Sequence, residues 1–239
     1  MAEIASSTQA DAAARPVGIF RTAAAILWKD VAAEWRGREI VSGMAVFGLL
    51  VLLLFHFALE LEVQRRPSLT AGAVWVALAF AGTLGLSRSL AREIDRGSLD
   101  GLLLAPADRT AIFFGKMAAN LFFVWLDAAI LLPVTSVLYN VPLLQPAVIG
   151  IVALGTLGYV SIGTLLSAMA AQARTRELLL PILLFPIIVP LLVAGAKATE
   201  GVLAGLAWAG LAPWVNIMLA YDGIFLSAAW MVFEYVVEE

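Results

Sequence analysis

The sequence predicts an all-α integral membrane protein with six transmembrane helices. Of its 239 residues, 62% are hydrophobic and 14% are charged, with a mean hydropathy of +0.94, whereas a soluble domain is about half apolar and about one quarter charged. Six long segments carry almost no charge, and each is close to the ~20 helical residues that cross a hydrocarbon core of about 30 Å. An amphipathic helix before the first segment and a charged segment after the second complete the predicted architecture.

The amino-terminal region divides into a polar tail and a helix. Residues 1–16 are small, polar and weakly acidic, and they lack the basic start and apolar core of a signal peptide. We interpret them as a disordered cytoplasmic tail. Residues 17–39 show helical periodicity, with tryptophan on the apolar stripe and basic residues mostly elsewhere. This pattern predicts a helix in the membrane interface; the alternative is an ordinary helix packed against protein.

The predicted spans follow from the uncharged segments. They are residues 40–59, 69–87, 112–138, 147–171, 178–196 and 213–236. The limits of the last span are the least defined, because residues 201–221 are also uncharged. We expect residues 201–211 to form a separate short apolar helix at the outer surface.

The distribution of basic residues predicts the orientation. Twelve of the fifteen Lys and Arg residues lie in the amino-terminal region, between spans two and three or at the start of span three, or between spans four and five. Two spans separate each of these segments from the next, so all three lie on the same side of the membrane. The side rich in Lys and Arg is the cytoplasmic side. The sequence therefore predicts a multi-pass membrane protein with both termini in the cytoplasm.

A dense mixed-charge segment lies on this cytoplasmic side. Residues 92–109, "REIDRGSLDGLLLAPADR", place leucines between charges of both signs, and Gly97, Gly101 and Pro106 interrupt any long helix. This pattern favours a compact helix–turn–helix that presents leucines and charges to a soluble partner. The alternative is a solvated loop whose charges only set the topology.

The order of these features resembles permeases of the ABC-2 exporter type, in which a cytoplasmic coupling-helix loop follows the second span. More narrowly, "REIDRGSLDGLLLAPADRTAIFFGK" (92–116) is similar to the cytochrome c maturation protein B family, also called the heme exporter protein B family. "WKDVAAEWRGRE" (28–39) and "LAYDGIFLSAAWMVFEYVVEE" (219–239) also resemble that family. The resemblance covers roughly residues 25–239.

The resemblance implies a membrane permease subunit for cytochrome c biogenesis, located in the cell inner membrane. Such a subunit would couple ATP hydrolysis on a partner chain to heme export, or to release of a heme-loaded periplasmic chaperone. The implied partners are a cytoplasmic ABC ATPase, a heme-handling membrane subunit, the chaperone, and a second six-span unit that makes a homodimer or heteromer; no nucleic acid is expected. The motif residues that would meet the ATPase are Arg92, Glu93, Arg96, Gly97, Leu99, Leu102, Leu103, Pro106, Arg109 and Lys116.

Several chemical functions are not supported by this sequence. "TAIFFGKM" lacks the first glycine and the final hydroxyl of a GxxxxGK[ST] phosphate loop, so ATPase activity is expected on a partner chain. There is no cysteine and no cluster of metal ligands. No catalytic residue and no metal site are assigned, and heme is expected as cargo rather than as a cofactor of this chain.

Three polar residues within the spans are candidate functional residues. His56 is the only histidine and is interpreted as a hydrogen-bonded interface residue, with ligation of heme iron as the alternative. Asp127 and Asp222 are costly in a membrane, and we favour contacts with a neighbouring helix or subunit over a polar cavity or a proton relay. Two other functions stay open: an ABC-2 permease for a drug, lipid or polysaccharide, and a proton-coupled secondary transporter, against which the lack of an internal repeat counts.

Overall fold

The computed structural model describes residues 18–59, 66–95, 109–171 and 176–236, and all of its regular structure within these ranges is helical. Six of the helices described, α2 to α7, are long and apolar enough to cross a membrane. This confirms the predicted all-α fold with six candidate spans. The helices are α1 (Ile19–Gly37), α2 (Glu39–Ala58), α3 (Arg66–Asp95), α4 (Arg109–Leu138), α5 (Pro146–Ala171), α6 (Arg176–Leu203) and α7 (Trp208–Val236).

The expected short helix over residues 201–211 is wrong. Helix α6 continues to Leu203, and α7 already begins at Trp208. Gly205 adopts a φ of +72°, and the backbone N–H groups of Gly205 and Leu206 bond back to the carbonyls of Val202 and Gly201 at 3.0 and 2.9 Å. This paired pattern with a left-handed glycine is a Schellman motif, which ends a helix whatever the hydropathy of its neighbours.

Helices α3 and α5 form the centre of the bundle. The apolar window of each is 72% buried, against 22% for α2 and for α7. Helix α3 contacts α2, α4, α5 and α6, while α5 contacts α3, α4, α6 and α7. The Trp75 ring of α3 lies over Gly155 and Gly195, where an added Cβ would come within 2.3 and 2.5 Å of it. Small residues thus allow the close helix contacts expected within a membrane.

Helix α1 packs along the first half of α4 and makes few contacts with α2, although only Arg38 separates α1 from α2. Arg38 adopts a left-handed φ of 53°, which turns the chain sharply at this point. The other side of α1 exposes three aromatic rings, those of Phe20, Trp28 and Trp35. An exposed aromatic stripe is what a helix in the membrane interface presents to lipid.

Candidate functional site

Helices α3 and α4 extend past the start of α2 and carry the charged loop. Arg88 Nη1 donates a hydrogen bond to the Glu39 carbonyl at 3.3 Å, so Arg88 is level with the first residue of α2. Helix α3 then continues seven residues to Asp95, about 10 Å at 1.5 Å per residue. The chain returns at Arg109, where α4 begins, and α4 reaches the level of the start of α2 only at Phe122, which lines a groove together with Arg38 and Ser42. The loop is therefore attached to two helices that project beyond the end of the first spanning helix.

The structure describes only the edges of the predicted coupling motif. Arg92 and Glu93 belong to the end of α3, and Arg109 is the first residue of α4. The remaining loop positions lie outside the described residues: Arg96, Gly97, Leu99, Leu102, Leu103 and Pro106. Their contact with an ATPase stays a prediction.

Lys116, the last predicted motif residue, is buried between α4 and α1. Its Nζ lies 2.7 Å from Asp30 Oδ2, and the residue is only 3% exposed. Beside it, a Cβ added at Gly115 would lie 2.8 Å from the Ile26 side chain and 3.0 Å from the Ala23 carbonyl, so the two helices are in close contact. The Lys116 ammonium is directed at α1, which it attaches to the start of α4.

A second carboxylate of α1 holds the start of α2. Glu34 is buried, and its Oε1 accepts hydrogen bonds from the backbone N–H groups of Ile40 at 2.8 Å and Val41 at 3.0 Å. These are among the first N–H groups of a helix, which have no partner within the helix, and the positive end of the helix dipole favours a carboxylate there. Asp30 and Glu34 thus fix α1 to two spanning helices. Sequence reasoning missed both, although two acids four residues apart on a largely basic helix were a visible signal.

Two buried carboxyl groups lie near the middle of the bundle. Asp127 on α4 and Asp222 at the centre of α7 are both buried, and neither carboxyl has a hydrogen-bond partner among the residues that the structure describes. Asp222 packs directly on α5, because a Cβ added at Gly158 would lie 2.0 Å from its Oδ1. An ionised carboxylate without a partner in an apolar medium is costly, so carboxyl groups at this depth are functional candidates.

Both acids approach α5 at neighbouring residues. The Tyr159 hydroxyl lies 3.0 Å from Thr83 Oγ1 and donates to the Ala79 carbonyl at 3.0 Å, and the buried Asp127 carboxyl lies in its neighbourhood on α4. Tyr159 directly follows Gly158, against which Asp222 packs. We call Thr83, Asp127, Tyr159 and Asp222 the buried polar cluster. Its members come from α3, α4, α5 and α7 and lie in the bundle interior.

His56 lies in the last turn of α2, a helix that contributes no residue to this cluster. Its ring packs edge-on against Tyr139 and Phe57, with centroids 5.2 and 5.4 Å apart. Its buried Nδ1 has no hydrogen-bond partner within the described ranges, so aromatic contacts hold the ring there. Tyr139, which donates a hydrogen bond to the Leu52 carbonyl at 2.8 Å, was not singled out from the sequence. No group of three or more potential metal ligands occurs among the described residues.

Comparison with known proteins identifies the family. The family model described as CcmB protein matches residues 21–230. Heme exporter protein B of Pseudomonas aeruginosa is 27% identical over 176 residues, which cover 73% of this chain and 79% of the relative. The proteins of the same name from Rhodobacter capsulatus and Paracoccus denitrificans are each 30% identical, over 168 and 165 residues, or 69% and 68% of this chain and 76% of each relative. Since the family model extends from the first turn of α1 into α7, the chain belongs to the CcmB family.

Proposed function

We propose that this chain is the membrane permease subunit of an ABC complex that exports heme for cytochrome c biogenesis. The observation that carries the proposal is the match of residues 21–230 to the CcmB family, together with relatives named heme exporter protein B. The six candidate spans supply the membrane part. ATP hydrolysis belongs to a partner chain, since this sequence has no phosphate loop.

The ATPase docks on the segment from Arg92 to Arg109. Leucines between charges of both signs can combine apolar burial with charge complementarity at an interface. The helices on either side would transmit a movement of this segment directly into α3 and α4. The Lys116–Asp30 ion pair and the Glu34 cap would carry the same movement to α1 and α2. In this proposal Lys116 is a positioning residue that orients the motif rather than a contact with the ATPase.

The membrane is the inner membrane, with both termini in the cytoplasm. The positive-inside rule supports this orientation, because the loop-bearing end holds most of the Lys and Arg residues. Lys197 and Glu200, near the other end of α6, then face the periplasm. That side would meet the periplasmic heme chaperone and the outer part of the heme-handling membrane subunit.

Heme is the cargo of the complex, and the residues that bind its iron belong to another subunit. His56 is the sole histidine of the chain, and its ring is packed between aromatic side chains rather than beside a second ligand. Its Nδ1 is buried within the protein, so this nitrogen is not open to an iron atom. This argument supports a coupling role for the chain and a separate heme-handling partner.

The buried polar cluster favours one second candidate function. Two buried carboxyl groups without a described hydrogen-bond partner are typical of proton-coupled transporters. A proton-coupled transporter of this kind would act without an ATPase. The permease proposal therefore predicts that an ATPase copurifies with the chain, and the transporter alternative predicts that none does.

The test is affinity purification of the full chain from native membranes in mild detergent, followed by mass spectrometry of the associated proteins. The wild-type chain is compared with the double variant Glu93→Ala/Arg109→Ala. The matched control is Lys197→Ala/Glu200→Ala, which also removes one base and one acid but at the opposite end of the bundle.

The proposal expects an ATPase and a heme-handling membrane protein with the wild-type chain and with the control, and loss of the ATPase from the Glu93/Arg109 variant. An ATPase without heme-handling partners would instead indicate an exporter of another substrate. A folded wild-type chain without any ATPase would overturn both ABC functions and favour the proton-coupled candidate.

A further inference from the structure

An apolar groove lies at the junction of α1, α2 and α4. It has a volume of about 300 Å³ and is lined mainly by Val31, Trp35, Val41, Ala45, Leu126 and Ile130. Its polar lining residues, Glu34, Arg38 and Ser42, lie where the chain turns from α1 into α2. The groove is therefore apolar along its length and polar near this turn.

We propose that this groove binds one acyl chain of an anionic phospholipid, with the phosphate of its headgroup at Arg38. The inference rests on the membrane fold and on the groove itself, and it does not depend on heme export.

The dimensions of the groove fit one leaflet of a bilayer. On α4 its lining runs from Phe122 to Ile130, which is about 12 Å at 1.5 Å per residue. This length is less than half of a hydrocarbon core of ~30 Å. The polar end lies at the start of the first span, where the interface between headgroups and hydrocarbon is expected. A lipid entering from that leaflet would place its chain along α4 and its headgroup at the α1–α2 turn.

The charges near the polar end favour an anionic headgroup. Arg36 and Arg38 are both exposed, and no acid among the described residues forms an ion pair with Arg38. Three carboxylates lie near this end: Glu34 accepts two backbone hydrogen bonds of α2, Asp30 pairs with Lys116, and Glu39 is exposed in the first turn of α2. They are outnumbered by five basic side chains, those of Lys29, Arg36, Arg38, Arg88 and Lys116, so the net charge at this end of the groove is positive. A guanidinium can bind a phosphate through two parallel hydrogen bonds.

A second groove provides an internal comparison. It lies between α4 and α5, has a volume of about 460 Å³, and is lined by residues that include Trp125, Ala129, Leu144 and Ile149. None of its lining residues is charged. It should therefore accept acyl chains without selecting a headgroup.

The test is native mass spectrometry of the full chain after equilibration with mixed vesicles of phosphatidylglycerol and phosphatidylcholine in equal amounts. The wild-type chain is expected to retain phosphatidylglycerol over phosphatidylcholine. Arg38→Asn removes the charge but keeps a residue that tolerates the left-handed backbone, and it should lower this preference about fivefold, the effect of roughly one basic side chain near an anionic surface. Ala45→Phe should fill the groove and abolish the preference for phosphatidylglycerol over phosphatidylcholine, whereas the control Ala129→Phe should not.

Three results would overturn the proposal. They are a wild-type chain without headgroup preference, an Arg38→Asn variant with unchanged preference, and an equal preference for phosphatidylglycerol in Ala45→Phe and Ala129→Phe. If Ala45→Phe does not elute as a folded species, the comparison of Arg38→Asn with the wild-type chain alone decides whether the proposal holds.

Discussion

Replacing Asp30 by Asn is expected to loosen α1 from the bundle, because it removes the carboxylate that pairs with a nearly buried ammonium. The Lys116 side chain is 4% exposed and that of Asp30 is 13% exposed, with 2.7 Å between Nζ and Oδ2. Removing one partner of a buried ion pair costs about 3–5 kcal/mol. Since water reaches part of Asp30, we expect about 2–3 kcal/mol for its replacement. Lys116→Met should cost less, about 1 kcal/mol, because Asp30 keeps Lys29 at 3.5 Å.

Limited proteolysis measures this opening directly. Trypsin cuts after Arg36 of α1 only when α1 unfolds locally, so the cleavage rate reports the open population. A cost of 2–3 kcal/mol corresponds to roughly 30- to 140-fold faster cleavage, since each 1.4 kcal/mol is about tenfold. Cleavage at Lys29 is not used, because the substitution changes the residue that follows it.

The exposed pair Lys197–Glu200 supplies the control. Its side chains are 49% and 29% exposed at an N–O distance of 2.9 Å, so Glu200→Gln should cost less than about 1 kcal/mol and leave cleavage at Arg36 unchanged. The double variant Asp30→Asn/Lys116→Met should be less destabilised than the two single effects added together, as expected for residues in contact. Strict additivity, or an Asp30→Asn chain cleaved no faster than wild type, would show that the Asp30–Lys116 ion pair does not hold α1 to α4.

Three other substitutions test single contacts. Glu34→Ala removes the carboxylate that caps α2 and should destabilise the start of that helix by about 1–2 kcal/mol. The backbone amides in the first turn of α2 should then exchange hydrogen faster, and an unchanged exchange rate would contradict the cap. Gly158→Ala places a methyl group 2.0 Å from Asp222 Oδ1 and should lower the thermal unfolding midpoint, while Asp222→Ala in the same chain should restore it; failure to restore would disprove this contact. Tyr139→Phe loses the 2.8 Å hydrogen bond to the Leu52 carbonyl and should cost about 1 kcal/mol in the same unfolding assay, where no change would argue against the bond.

The spanning helices were predictable because their signal is local. A segment such as residues 40–58 is apolar throughout and long enough to cross a membrane, so its neighbours in space do not decide its structure. The end of α6 was harder, since the residues on both sides of Gly205 are apolar and hydropathy cannot locate the break. The glycine itself was the usable signal, because a helix commonly ends where a left-handed residue follows it.

The contacts of the candidate site depend on tertiary structure and were not predictable. Nothing in the sequence places Asp222 against Gly158, which is 64 positions earlier, or Glu34 on the first amides of α2. Lys116 is the clearest example of a contact that the sequence did not predict. The motif associates it with the charged loop, but it lies two turns into α4 on the side that faces α1. Only the packing of α1 shows that this charge is engaged inside the protein.

Site-specific cross-linking can show whether an ATPase binds the loop between α3 and α4. The chain has no cysteine, so Leu102→Cys and the control Lys197→Cys each introduce a unique thiol that can carry a photoreactive benzophenone. After illumination of native membranes, we expect a cross-link to an ABC ATPase from position 102 and none from position 197. An ATPase cross-linked from position 197, or from neither position while the ATPase copurifies with the chain, would rule out ATPase binding at this loop.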